Sequence, residues 1–329
     1  MDNELAILVT GGSGFIGSHL VEYLLAADRS VVVVDDFSTG QRTNLAEAQS
    51  SWGEKLQVIE GRVSDVLPTL DPMAFSQCYH LAAAVGVRLV VEEPIRTIET
   101  NVRETSATLE FAENGKVPTL VASTSEVYGK GVRTPFAEDD DVVYGPTIYT
   151  RWSYACSKAI DEYLALAYSK QGRVPAVVVR LFNTVGPRQI GEYGMVLPRF
   201  VSAVLENRAI EVHGDGSQSR CFCDVRDVVP AMVALLDEPE HHGRVFNVGS
   251  NQPMTISALA EFVREELGGE SEIRNVPYEE AFSDGFDDLQ AREPDLKRVK
   301  EAIGFAPRIG LDQTVRDLAD SMGRGKVRG

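Results

Sequence analysis

A tyrosine and a lysine stand four positions apart, Tyr154 and Lys158, in the run Arg151-Trp152-Ser153-Tyr154-Ala155-Cys156-Ser157-Lys158. On a helix such a pair shares one face. A free tyrosine, with a pKa of about 10, is a poor base at neutral pH, and a neighbouring ammonium lowers it by favouring the phenolate. The pair therefore suits removal of a proton from a hydroxyl. Upstream, Ser123-Thr124-Ser125-Glu126-Val127-Tyr128-Gly129 follows an apolar run, Thr119–Ala122, that reads as a strand. Side chains leaving the carboxyl end of such a strand point into the crevice of an open α/β sheet, where Thr124 would hydrogen-bond the reacting hydroxyl.

A second constellation lies near the N-terminus. Thr10-Gly11-Gly12-Ser13-Gly14-Phe15-Ile16-Gly17 follows one apolar run and opens a helical one. Gly11, Gly14 and Gly17 permit a tight turn, close approach of backbone to a pyrophosphate, and close packing of helix on strand. The next strand ends at Asp35, whose carboxylate can accept hydrogen bonds from adenosine ribose hydroxyls and repels a 2′-phosphate. NAD is therefore expected in preference to NADP. Arg42 could offset that preference, and Asp36 beside Asp35 works against it.

The elements that must position these groups alternate along the first half of the chain. Strands read at Leu5–Val9, Val31–Val34, Leu56–Ile59, Gln77–His80, Thr119–Ala122 and Ala176–Leu181, with helical stretches at Phe15–Ala26, Ile95–Glu113 and Ser153–Lys170. Apolar strands separated by helices predict an α/β fold, a Rossmann-type doubly wound parallel sheet. After Leu181 come longer loops, shorter strands and helices such as Ile256–Leu267, which predict a smaller C-terminal α/β substrate lobe. Val245–Val248 reads as a strand returning to the first sheet. The expected division is a cofactor-binding domain over 1–181 with a returning segment at about 221–250, and a substrate lobe from 182–220 and 251–329.

A formal charge of −17, from 32 Lys and Arg against 49 Asp and Glu, argues against general affinity for nucleic acid or anionic membrane. It leaves open small anionic ligands held by a few arginines and helix N-termini. The opening MDNELAILVT has neither a basic leader nor a long apolar span, so a cytoplasmic protein is expected. Cys78, Cys156, Cys221 and Cys223 form no C-x-x-C pair. Cys221 and Cys223 flank Phe222 in a strand-like run whose period would place both on one face; buried thiols in a reducing compartment, and no metal, are the expectation.

Taken together, TGGSGFIG, STSEVYG, YACSK, RLFNTVGPR, GDGSQSRCFCDVRD and NVGS resemble the NAD-dependent epimerase/dehydratase family of extended short-chain dehydrogenases, over nearly the whole chain. The resemblance implies an NAD-dependent enzyme acting on a nucleotide-linked sugar, and a homodimer whose long helices around Asn101 and Tyr154 pack at the interface. It sets Asn183 and Arg220 against the nucleotide diphosphate. One departure is Arg62, where many relatives carry an acidic residue. Cofactor contacts are further expected at Phe15, Ile16, Asp36, Ser38, Val63, Leu81, Ala82, Ala83 and Asn101, besides Tyr154 and Lys158 themselves. Arg88 and Tyr278 are expected against the substrate.

The chemistry implied begins with Tyr154 taking the proton of the sugar 4-hydroxyl as hydride leaves C4, giving a 4-keto sugar. Thr124-Ser125-Glu126 is similar to the Thr-Ser-Glu of UDP-glucuronate decarboxylases, and Arg292-Glu293-Pro294 resembles their Arg-x-Pro segment, whose arginine assists chemistry at C5. Thr-Ser-Glu is also similar to GDP-mannose 4,6-dehydratases, and Gly86-Val87-Arg88 to UDP-glucuronate 4-epimerases. Decarboxylation is placed first, with 4-epimerisation and 4,6-dehydration as alternatives. A non-enzymatic dinucleotide sensor is set aside because Tyr154, Lys158 and Thr124 are all present.

Overall fold

A computed structural model describes residues 5–86, 90, 92–191, 195–281 and 290–327. The first half alternates β1 (Ala6–Thr10), α1 (Phe15–Ala26), β2 (Val31–Asp35), α2 (Ala46–Trp52), β3 (Leu56–Glu60), α3 (Val63–Val66), β4 (Phe75–His80), α4 (Pro94–Gly115), β5 (Thr119–Thr124), α5 (Ser153–Lys170) and β6 (Ala176–Leu181). The second half carries β7 (Thr184–Val185), α6 (Val196–Leu205), β8 (Ile210–His213), β9 (Ser219–Cys221), β10 (Cys223–Asp224), α7 (Val225–Asp237), β11 (Val245–Val248), β12 (Pro253–Thr255) and α8 (Ile256–Glu266). Then follow β13 (Ile273–Val276), a short helix α9 (Tyr278–Ala281), β14 (Ala291–Arg292), α10 (Lys297–Ile303) and α11 (Leu311–Val327).

Seven strands form one sheet in the order β11-β6-β5-β4-β1-β2-β3, every pairing parallel. A parallel sheet must be covered on both faces, and its strands accordingly read as unbroken apolar runs. In β6, Val177 and Val179 enter a core shared with Leu20 and Leu24 of α1 and Val229 and Met232 of α7. Ala176 and Val178 enter the opposite one, with Leu109 of α4 and Ala165 of α5. Each valine so buried contributes about 1.5–3 kcal/mol. The strand read at Val245–Val248 does return to this sheet, Val245 opposite Val178 through Val248 opposite Leu181.

The chain order reverses between β1 and β4, leaving a crevice outside the carboxyl ends of the strands. Around this sheet the later elements build a further core from Phe200 and Val201 of α6, Val212 of β8, Leu259 and Val263 of α8, and Val315 and Leu318 of α11. These elements overhang the crevice.

One expectation is corrected here. Cys221 and Cys223 do not share one strand face: Cys221 ends β9, which pairs with β12 and β14, whereas Cys223 begins β10, which pairs with β7. The chain changes partner at Phe222, so strand period does not carry across it. All four cysteines are free thiols, and among the described residues no group of three His, Cys, Asp or Glu could hold a metal. No helix among them is long and apolar enough to cross a membrane.

Candidate active site

The glycine turn is held by backbone. Gly11 N–H donates to Val34 O at 2.9 Å and Gly14 N–H to Gly11 O at 3.2 Å. Gly11 has φ +71°, and a Cβ there would lie 2.7 Å from Ala82 N; a Cβ on Gly17 would lie 2.2 Å from Gly11 O. Only glycine satisfies both positions. Helix α1 opens with no side-chain cap and no acidic residue in its first turn, so its positive end and orphan N–H groups face the crevice uncompensated, as a pyrophosphate requires.

Asp35 closes β2. Its Oδ2 accepts from Ser13 N at 2.8 Å and its Oδ1 from Phe37 N at 2.9 Å. Burial raises its pKa, the two amides oppose that, and Asp36 adds to it. Asp36 Oδ1 accepts from Ser38 N at 2.9 Å, forming the loop beyond. Arg42 is tied to Glu60 and lies over the Phe37 ring at 4.0 Å from its centroid, which occupies it away from Asp35.

Helix α5 presents Tyr154 and Lys158 toward β5. Both are buried, and Lys158 Nζ donates to Asp161 Oδ2 at 2.7 Å with side chains 2% and 0% exposed. Burial pushes the Asp161 pKa up, and Lys158 opposes it. Such a pair gains little net stability, yet removing one partner leaves an uncompensated buried charge costing about 3–5 kcal/mol. Below it lies His80, whose ring nitrogens meet the hydroxyls of Thr10, Thr105 and Thr108 at 2.8, 3.0 and 3.1 Å. Burial, with Lys158 adding, lowers His80 to about 3, so it is neutral at physiological pH.

Thr124 ends β5 and its Oγ1 accepts from Glu126 N at 3.2 Å, capping a short turn that holds Ser125, 1% exposed, and Glu126. Glu126 Oε1 meets Arg292 Nη1 at 3.3 Å, with side chains 13% and 11% exposed. Arg292 comes from β14, in register with Arg220 of β9. Its segment is fixed to the loop after β5: Phe136 N donates to Glu293 O and Asp295 N to Phe136 O, both at 2.8 Å. Arg292 Nε is buried and has no acceptor among the described residues.

One cavity of about 490 Å³ joins these groups, a size suited to a large ligand. Gly11, Gly14, Phe15, Ile16, Gly17, Asp35, Asp36, Ser38, Val63, Leu81, Ala82 and Ala83 line one arm, with Arg62 also at the wall. Thr124, Ser125, Glu126, Tyr154, Lys158, Asn183, Arg220, Tyr278 and Arg292 line the remainder. Asn183 has φ +33° and donates Nδ2–H to Cys221 O at 3.0 Å. Arg220, 5% exposed, donates from Nη1 to Ser219 O at 2.8 Å.

Asn101 is expected against the cofactor. It is fully buried and absent from the cavity wall, because its amide bridges two elements behind it: Oδ1 accepts from Ala84 N at 2.8 Å and Nδ2 donates to Ser157 Oγ at 3.0 Å. It thereby fixes the loop after β4 to the Tyr154 helix. Tyr154 is likewise buried at 8%, so the exposed apolar positions on α4 and α5 are instead Ile95, Ile98, Ile160 and Tyr163. Arg88 lies outside the described residues.

The sequence reading missed Asp161, three residues past Lys158, and several further wall residues. Among these, Arg188 sits in RLFNTVGPR, and Arg199 donates from Nη2 to His213 Nε2 at 2.9 Å. Asp161 is legible as a carboxylate one helical turn from the lysine, and Arg188 as the end of a motif already singled out; Arg199 has no local signal.

Comparison with known proteins gives a consistent picture. The "NAD dependent epimerase/dehydratase family" matches residues 7–249. The chain is 39% identical over 319 residues to UDP-N-acetyl-alpha-D-glucosaminuronate decarboxylase of Bacillus cytotoxicus, covering 94% of this chain and 95% of that one. It is 36% identical over 308 residues to UDP-glucuronic acid decarboxylase 1 of Arabidopsis thaliana, covering 94% and 67%. Among solved structures it is similar to the UDP-glucose 4-epimerase of Thermotoga maritima with UDP-glucose, at TM-score 0.86 and 26% identity over 98% of this chain and 100% of that one. It is also similar to MoeE5 in complex with UDP-glucuronic acid and NAD, at TM-score 0.80 and 28% identity over 97% and 99%.

Proposed function

This chain belongs to the NAD-dependent epimerase/dehydratase family, and we propose that within it the chain is an NAD-dependent decarboxylase of a UDP-linked uronic acid. The observation that carries the reading is the Glu126–Arg292 pair in the same cavity as Thr124 and Tyr154. Arg220 and Arg292 stand in register on paired strands, and both line that cavity. Two guanidiniums at its wall suit a ligand with two anionic ends, a diphosphate at Arg220 and Asn183 and a sugar carboxylate near Arg292. Decarboxylation of uronic acids by the Bacillus and Arabidopsis relatives supports it.

NAD fits the remaining arm: the uncapped start of α1 and the glycine cradle suit its pyrophosphate, and buried Asp35 its adenosine ribose. When bound, NAD accepts the C4 hydride and later returns it. Tyr154 takes the 4-hydroxyl proton, Lys158 favours its phenolate, and Thr124 orients the hydroxyl. The 4-ketone makes the C6 carboxylate that of a β-keto acid; the C5–C6 bond breaks, its electron pair passes to the enolate oxygen, and CO₂ leaves. Tyr154, now protonated, and Thr124 stabilise that oxygen. A proton from solvent delivered to C5 beside Arg292, and return of the hydride to C4 as Tyr154 gives its proton back to the 4-oxygen, complete a UDP-pentose. Asp35 also favours NAD over NADP by repelling a 2′-phosphate.

Following UDP-glucuronate and its 2-acetamido counterpart by NMR with added NAD tests the reading. A UDP-pentose from either acid is expected; turnover only of a neutral hexose nucleotide would contradict it. In the same reading the protein is a cytoplasmic homodimer, with Ile98, Ile160 and Tyr163 covered by a second copy, since α4 and α5 pack together and leave these apolar side chains exposed. Tyr163→Glu combined with Ile160→Glu is expected to convert a dimer to a monomer in sedimentation. A wild type that sediments as a monomer would remove this part.

A further inference from the structure

The segment after β7 leans on α1. Phe15, His19 and Glu22 lie on one stripe of that helix, with the Phe15 and His19 rings edge to face at 5.9 Å. His19 Nε2 meets Pro187 O at 3.0 Å. A carbonyl only accepts, so Nε2 carries the proton; burial lowers His19 to about 4, which keeps the ring neutral and donating at pH 7. One position on, Arg188 Nη2 donates to Glu22 Oε1 at 2.5 Å. Arg188 holds a left-handed φ of +70°, a conformation that a non-glycine residue seldom adopts and that persists where its surroundings enforce it.

This tethering leaves half of the guanidinium fork unused. Arg188 Nη1 is buried and has no acceptor among the described residues, although the side chain lines the cavity together with Gly14, Phe15 and Gly17 at the start of α1. A buried donor without an acceptor is costly, and a charged one more so. An anionic ligand in this cavity would supply the missing acceptor. The cavity offers two anionic positions, one at the start of α1 and one at Arg220 and Asn183. Arg188 is anchored to α1 by Glu22, and Pro187 before it by His19, so it approaches the first from the flank of that helix.

We propose that Arg188 is a ligand of the cofactor's pyrophosphate, donating from Nη1 while Glu22 holds Nη2, so that the segment after β7 clamps the cofactor onto the glycine turn. The inference rests on the reading of the first arm as an NAD site. It gives the α1 start a side-chain cation that the glycine motif lacks.

The test is calorimetric binding of NAD, ADP-ribose, adenosine and UDP to wild type, Arg188→Ala and Arg188→Lys. Losing a charge-assisted hydrogen bond of about 1.5–3 kcal/mol corresponds to roughly tenfold to a hundredfold weaker binding. Arg188→Ala is expected to weaken NAD and ADP-ribose by that factor and to leave adenosine and UDP unchanged; Arg188→Lys, which keeps the charge without the fork, should fall between. Unchanged NAD affinity in Arg188→Ala, or weakening confined to UDP, overturns the assignment while leaving the NAD site intact. Failure of the wild type to bind NAD or ADP-ribose overturns the NAD reading itself.

Discussion

Tyr154→Phe is expected to lower turnover at least ~10²-fold, the usual lower range for loss of a general acid or base, while NAD affinity stays within about twofold, well under the ~1.4 kcal/mol that a tenfold change represents. The substitution removes only the phenolic oxygen. The helix contact of this residue, Ser157 Oγ–H to Tyr154 O at 2.8 Å, is made by backbone and survives. Lys158 would be a poorer choice, because its removal strands Asp161, 0% exposed. The cost of about 3–5 kcal/mol is a large share of a typical domain's 5–15 kcal/mol. Activity lost in Lys158→Ala would thus mix chemistry with unfolding. Stopped-flow absorbance of the nicotinamide, with thermal unfolding as control, checks the tyrosine variant; full activity would remove Tyr154 from the mechanism.

Glu126→Gln is the second large effect. In the decarboxylase reading, Glu126 stands beside the departing carboxylate and repels it, favouring loss of the charge as CO₂, and Arg292 assists at C5. The glutamine keeps the shape and an acceptor for Arg292 Nη1 but not the charge. First hydride transfer should persist, visible as accumulated NADH, while CO₂ release falls ~10-fold or more, from the ~1–5 kcal/mol that ground-state destabilisation supplies. If Glu126 instead removes a C5 proton from a hexose, the same variant stalls before water loss, and unimpaired CO₂ release from the acid would contradict the role given to it here.

Much of the cofactor arm is legible in sequence because its signals are local. The helix bounds Phe15–Ala26 and Ser153–Lys170 and the strand Val245–Val248 coincide with the reading from apolar pattern. Strand ends were less legible. β5 runs on to Thr124 although Ser123 and Thr124 are polar, because its ladder to β6 continues through Ser123 opposite Arg180 and Thr124 opposite Leu181. Contacts set by tertiary packing left no local trace. Glu126 and Arg292 lie 166 residues apart and meet because β14 pairs with β9. Asn101 carries a ligand-binding residue type into a buried bridge between α5 and the loop after β4. Nothing in Cys221-Phe222-Cys223 marks the change of strand partner at Phe222.

The central claim is that the carboxylate of a UDP-linked uronic acid leaves as CO₂ from a 4-keto intermediate. Supplying UDP-glucuronate, and separately its 2-acetamido counterpart, labelled with ¹³C at C6 addresses this directly. The account predicts ¹³C-labelled CO₂ and an unlabelled UDP-pentose in equal amounts, dependent on Tyr154. UDP-galacturonate or its acetamido analogue retaining the label, with no CO₂, would contradict it and make the protein a 4-epimerase.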